Sequence, residues 1–123
     1  MNINIKNTNL ELTPAIADYL NKRLEDVSRL VDVVDSGAHC QVEIGKTTNH
    51  HKTGDIFRAE LNIRLKGEVV YVVEDSADLY ASIDTVKDEA IKKIKRFKSK
   101  RQTLYRKGKS VIKNILRFGR PQQ

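Results

Sequence analysis

The chain of 123 residues is predicted to fold as an α+β two-layer sandwich: a four-stranded, mostly antiparallel sheet with two helices on one face, in the order β-α-β-β-β-α. Three observations predict it. Two long stretches, Ile16 to Val31 and Leu79 to Phe97, repeat apolar residues every three or four positions, which at about 100° per residue gathers them on one helical stripe. Four shorter stretches alternate or concentrate apolar residues over strand-like lengths, as strands of a half-buried sheet do. Both stripes need cover, and one sheet carrying both helices on the same face supplies it.

Asn2 to Lys6 places Ile3 and Ile5 on one face of a first strand. Thr13-Pro14 then reads as a helix start, because Thr is a favoured N-cap and Pro fits the first helical position, where its missing donor would be unpaired anyway. Ile16, Leu20, Leu24, Val27, Leu30 and Val31 make the stripe of that helix, with Lys22, Arg23, Glu25, Asp26 and Arg29 largely on its other faces. Val33 to Gly37 turns out of it, and Ala38, Cys40, Val42 and Ile44 alternate as the second strand. After the Lys46–Gly54 loop, Phe57, Ala59, Leu61, Ile63 and Leu65 alternate against charged and polar neighbours as the third. Lys66-Gly67-Glu68 is a tight hairpin. Val69 to Val73 is the fourth strand, whose uninterrupted VVYVV leaves Val70 and Val72, beside Ile56, as a candidate apolar strip on the open sheet face. A right-handed crossover from the first strand to the second puts the first helix on the same side as the second.

The second helix, Ser76 to Arg101, organises the rest. Asp75 or Ser76 is expected to cap it, Asp78 and Asp84 sit at its positive end, and lysines crowd its negative end. Of the ten residues Lys92 to Arg101, seven are basic and none acidic, more than dipole compensation needs. Residues 1–91 hold ten basic and sixteen acidic side chains, whereas residues 92–123 hold thirteen basic and no acidic ones, so the formal charge of +7 is a C-terminal patch. Such a patch points to a polyanion. With the helices side by side, Lys22, Arg23 and Arg29 are expected to join Lys92, Lys93, Lys95, Arg96, Lys98, Lys100 and Arg101 in one polyanion-binding surface, the candidate site.

Residues 1–102 are thus expected to form the domain. Thr103 to Gln123 is expected to be a basic tail, flexible or ordered on its partner, with an amphipathic segment at Ser110 to Phe118. Deleting it is expected to leave the fold intact.

Chemistry beyond binding finds little support. His50-His51 has no Cys or spaced carboxylate to complete a metal site. Asp84 and Asp88, four apart near a helix start, read as surface charge rather than a catalytic pair, and Tyr71 and Tyr80 as packing residues. Cys40 reads as a buried core residue without an activating basic neighbour. The sequence holds no phosphate loop, dinucleotide motif or nucleophile elbow. A non-enzymatic, cytoplasmic protein without cofactor, metal, membrane partner or small-molecule substrate is expected, monomeric off its partner.

LELTPAIADYLNKRLEDVSRLVD and EDSADLYASIDTVKDEAIKKIKRFKSKR, in this element order, resemble the ribosome hibernation promoting factor and ribosome-associated inhibitor family, also called the sigma-54 modulation protein family. The likeness spans roughly residues 1–101. It implies a stationary-phase or stress factor that inhibits translation by binding the small ribosomal subunit over the transfer RNA and messenger RNA sites. It also implies 16S rRNA backbone contacts from Arg23, Arg29, Lys92, Arg96, Lys98 and Lys100; Lys22, Lys93, Lys95 and Arg101 are added by charge and position. Long members carry a linker and a ribosome-pairing domain where this chain has its basic tail and stops at Gln123. The competing readings are a generic double-stranded RNA-binding domain and a protein-binding regulator of transcription. The first normally lacks the leading strand and places its lysines at the N-terminal end of the last helix, where this chain has Asp75, Asp78 and Asp84. The second suits a patch of thirteen bases and no acid poorly.

Overall fold

The computed structural model describes residues 1–47 and 54–118, with side chains through Leu116. The elements are β1 (Asn2–Thr8), α1 (Pro14–Val34), β2 (His39–Lys46), β3 (Phe57–Leu65), β4 (Glu68–Ser76) and α2 (Leu79–Phe118), in the predicted β-α-β-β-β-α order. The strands lie side by side as β1-β2-β3-β4, the first pair parallel and the other two antiparallel.

One face of the sheet is dry. Cys40, Val42 and Ile44 of β2 and Ala59, Leu61, Ile63 and Leu65 of β3 point to the helices, where Leu20, Leu24, Val27 and Val31 of α1 and Leu79, Ile83, Val86, Ala90 and Ile94 of α2 close a single core. Each stripe is buried as its spacing requires.

On β4 the expected faces are reversed. Val70 and Val72 are core, 3% and 6% exposed, while Val69, Tyr71 and Val73 lie on the open face. An all-apolar run carries no alternation to choose between its faces; register decides, since Val70 pairs with Ile63 and Val72 with Leu61. That open face is held by cross-strand polar pairs instead: Arg58 grips Asp75 through two hydrogen bonds of 2.7 and 3.0 Å, and the Tyr71 hydroxyl donates to Glu60. Tyr71 is therefore an exposed member of a polar network rather than a packing residue.

Thr13 caps α1 as expected, its hydroxyl accepting from the Ile16 amide at 3.2 Å with Pro14 in the first turn. Asp35 closes the other end: its own N–H donates to Val31 O, and its carboxylate accepts the backbone N–H of Gly37 at 3.0 Å and of Lys66 at 2.8 Å. One side chain so ties the turn after α1 to the β3–β4 hairpin, where Gly67 adopts φ +89°.

The start of α2 is shifted from the expected cap. Asp75 and Ser76 both belong to β4. Asp78 caps instead, its carboxylate accepting the Tyr80 amide at 3.0 Å. Ser76 lies 2.9 Å from the buried Ser82 hydroxyl, which reaches Phe57 O at 3.1 Å. The far end also differs: α2 does not close near Arg101 but continues as one helix to Phe118. Helix-favouring Lys, Arg, Gln and Leu fill that stretch, and a helix already anchored on a core extends without a new nucleation step.

Two stability measurements follow. Asp35→Ala removes two solvent-exposed hydrogen bonds that tie the turn to the hairpin and should lower stability by about 0.5–1.5 kcal/mol, read as a lower urea midpoint with unchanged slope. Deleting residues 103–123 should leave the thermal midpoint within about 2 °C, because Leu104 to Leu116 contribute nothing to the buried cluster.

Candidate nucleic-acid interface

The buried stripe of α2 fixes the helix's rotation, and rotation decides where its bases point. Lys92 and Lys95 project to solvent opposite the sheet, by helical geometry. Lys93, Arg96 and Lys100 lie on the flank above β4: the Lys93 ammonium donates to Tyr71 O at 3.0 Å, and Arg96 and Lys100 border a hollow with Glu68, Val69 and Phe97. Lys98 and Arg101 lie on the α1 flank, where Arg101 donates to Val34 O at 3.2 Å, supplying a donor to the last turn of α1. The seven bases thus wrap three sides of one helix.

The α1 bases are in a different electrostatic state. Lys22 pairs with Asp18 at 3.2 Å and Arg29 with Asp26 at 2.8 Å. Arg23 reaches across to α2, its Nε donating to Asp84 at 3.1 Å while its guanidinium lies 3.8 Å from the Tyr19 ring centroid. The Tyr19 hydroxyl donates to the same carboxylate at 2.7 Å, and its ring meets Tyr80 edge-to-face at 4.7 Å. Asp84 is accordingly no loose surface charge: two α1 side chains converge on it and clasp the helices together. Desolvation raises its pKa, but hydrogen bonds from Tyr19 and Arg23 outweigh that and hold it below the ordinary carboxylate value.

By contrast, among the described residues none of Lys93, Lys95, Arg96, Lys98, Lys100 and Arg101 has a carboxylate within 4.0 Å; on this half of the helix only Lys92 does, with Glu89 at 3.5 Å. Arg106, Lys107, Lys109 and Lys113 continue the basic run along the same helix, beyond the core-packed half. The helical propensity of Gln102 to Arg117 was the signal for this. The Tyr19, Arg23 and Asp84 clasp had only the four-residue spacing of the first two to announce it.

Burial pushes the Cys40 thiol up to about 12, as befits a core residue. Asp88 pairs with Lys87 at 2.9 Å and faces no second carboxylate from Asp84, whose partners lie on α1. His50-His51 falls outside the described residues. Among the described residues no three His, Cys, Asp or Glu side chains gather to hold a metal, and no helix is long and apolar enough to cross a membrane.

A mixed four-stranded sheet with both helices on one face and a basic second helix is a combination found in known proteins. The family of sigma 54 modulation protein and S30EA ribosomal protein matches residues 3–102. The chain belongs to this family. Among relatives, a ribosome hibernation promotion factor of Picosynechococcus is 27% identical over 100 residues, covering 81% of this chain and 50% of that protein. This chain thus spans half the length of that relative. It spans 96% of a ribosome hibernation promoting factor of Klebsiella oxytoca, at 23% identity over 81% of its own length. The Thermus thermophilus Protein Y N-terminal domain superposes with a TM-score of 0.61 at 35% identity, over 79% of this chain and 99% of that one. The family match ends at residue 102, so the last turns of α2 lie beyond it.

The clasp makes the family domain acid-sensitive in a definite direction. A carboxylate with a depressed folded-state pKa stabilises above its unfolded value, about 4, and its contribution is lost as pH falls through the folded value. Thermal midpoints of the parent and Asp84→Asn should therefore differ near neutral pH and converge on acidification below about pH 4. Tyr19→Phe, which keeps the ring packing, should cost about 1 kcal/mol at neutral pH.

Proposed function

We propose that this chain is a ribosome hibernation factor that inhibits translation in stress or stationary phase. In this reading it docks the basic half of α2 on 16S rRNA of the small ribosomal subunit, over the sites that transfer RNA and messenger RNA occupy. The observation that carries it is the separation of charge states: a run of bases on α2 without carboxylate partners, next to an α1 whose bases are already paired. Unpaired cations on a rigid helix exchange counterions for phosphates at little cost in order, and phosphate contacts position a protein on RNA without needing a sequence. A folded domain held there blocks two ligands by occupancy alone, so neither catalysis nor a cofactor enters the mechanism. The cytoplasm is the compartment in which it acts.

The roles differ among the assigned residues. Lys95, Arg96, Lys98 and Lys100 are the direct phosphate ligands, and Lys92 joins them on releasing Glu89. Lys93 and Arg101 each already donate to a backbone carbonyl and contribute charge with less freedom. Lys22 and Arg29 contact RNA after sharing or releasing their carboxylates, and Arg23 acts as a positioning residue through Asp84.

Sucrose-gradient sedimentation of lysate from starved cells tests the reading: the chain should migrate with small subunits or whole ribosomes, and free migration would oppose it. Affinity for isolated small subunits should fall with salt by about 0.7–0.9 log units per log unit for each neutralised phosphate. A slope near zero would sink the electrostatic mechanism. Replacing Lys92, Arg96 and Lys100 together by Glu should abolish binding and inhibition of translation while leaving the circular dichroism spectrum unchanged, because all three lie off the buried stripe.

A further inference from the structure

The apolar stripe of α2 does not end where the sheet ends. Leu104, Gly108, Val111 and Ile115 continue it at the four-three-four spacing of a coiled-coil seam, with Tyr105 and Ile112 beside them. On Leu79 to Ile94 that stripe is sealed against β3 and β4; on Leu104 to Ile115 the same side of the same helix faces solvent, each of these large side chains being more than half exposed. The helix from Gln102 to Phe118 is an overhang roughly 25 Å long at 1.5 Å per residue. Beneath it the sheet layer is missing. The overhang and the end of the domain form an inside corner, floored by Val33, Val34, Arg101 and Tyr105.

We propose that this corner is filled by the overhang of a second copy of this chain, two α2 extensions packing antiparallel about a two-fold axis between Lys109 and Ser110. Three observations select that occupant. A flat bilayer laid along the stripe is obstructed by the domain, which projects on the same side, whereas one helix is about 10–12 Å thick and fits beneath the overhang. An antiparallel pairing sets Leu104 of each copy opposite Ile115 of the other and Gly108 opposite Val111, large against large at the ends and small against branched at the centre. A Cβ on Gly108 meets nothing within 4 Å, so the glycine answers no need within the monomer, and its cost to an exposed helix of about 1 kcal/mol relative to Ala is explained by close approach of a partner. Finally, Arg106, Lys109 and Lys113 lie on the half of the helix away from the seam and Lys107 flanks it, so most of the like charge of two copies points apart. The interface is isologous and closed, and it rests on the apolar stripe, independently of the RNA reading.

Sedimentation equilibrium of the full chain tests it. A dimer should form with rising concentration and tighten as salt is raised, because screening relieves repulsion between the two basic rods while the seam is apolar; binding to RNA or to anionic lipid would weaken instead. Leu104→Glu and Ile115→Glu should each raise the dissociation constant at least about tenfold with the thermal midpoint of the domain unchanged. A second readout fixes orientation. Leu104→Cys mixed with Ile115→Cys should oxidise to a disulfide-linked pair, while neither variant crosslinks efficiently to itself; Cys40, buried, does not compete. A chain monomeric at all concentrations and salts, or Leu104→Cys alone crosslinking as a parallel pair would, overturns the proposal. So does a monomer that binds phosphatidylserine vesicles through the same stripe.

Discussion

The rotation of α2 about its own axis is the constraint on which the rest of the molecule depends. Leu79, Ile83, Val86, Ala90 and Ile94 are all buried on one side, and each buried Leu, Ile or Val side chain is worth roughly 1.5–3 kcal/mol relative to exposure. Turning the helix by one residue would expose part of that stripe and bury a lysine, a cost far above anything that surface charges supply. The core therefore dictates where every base on α2 points, and the candidate interface inherits its geometry from packing. Alignment along the axis is tuned by Asp84, which draws Tyr19 and Arg23 of α1 onto α2.

Charge balance divides the two helices. The carboxylates of the chain all precede Lys92, and in space Asp18, Asp26 and Asp84 hold Lys22, Arg29 and Arg23. Exposed pairs of this kind contribute little to stability, about 0–1 kcal/mol each. Their effect is on the field: they cancel the positive charge of α1 and leave α2 as the strong cationic feature. A polyanion approaching the molecule is steered to the second half of α2.

Element order, the dry face of β2 and β3 and both helical stripes were legible in the sequence because each rests on a period, two or 3.6, that burial enforces directly. VVYVV of β4 has no period, so its facing was set by pairing with β3 and could not be read locally. The α2 cap was misplaced because Asp75, Ser76 and Asp78 are all good capping residues; what separates them is Arg58, whose grip on Asp75 keeps β4 running to Ser76. Asp84 looked like surface charge because its partners lie more than sixty residues away. The basic residues of the candidate site were visible from composition alone, while their division into paired and unpaired sets needed the carboxylates in three dimensions.

The amphipathic pattern of α2 runs on past the point where its first partner, the sheet, stops. Beyond residue 102, Arg106, Lys109 and Lys113 lie on one half of the helix and Leu104, Val111, Ile112 and Ile115 on the other, with Lys107 at the flank of the apolar stripe. An arm that only bound phosphate would gain nothing from the apolar half and would bear the hydration cost of exposing it. Because the two halves point in opposite directions, burying the apolar one leaves the basic one exposed. A seam between two copies is thus compatible with a phosphate surface on the outside of each helix, and the same rod can serve both contacts at once.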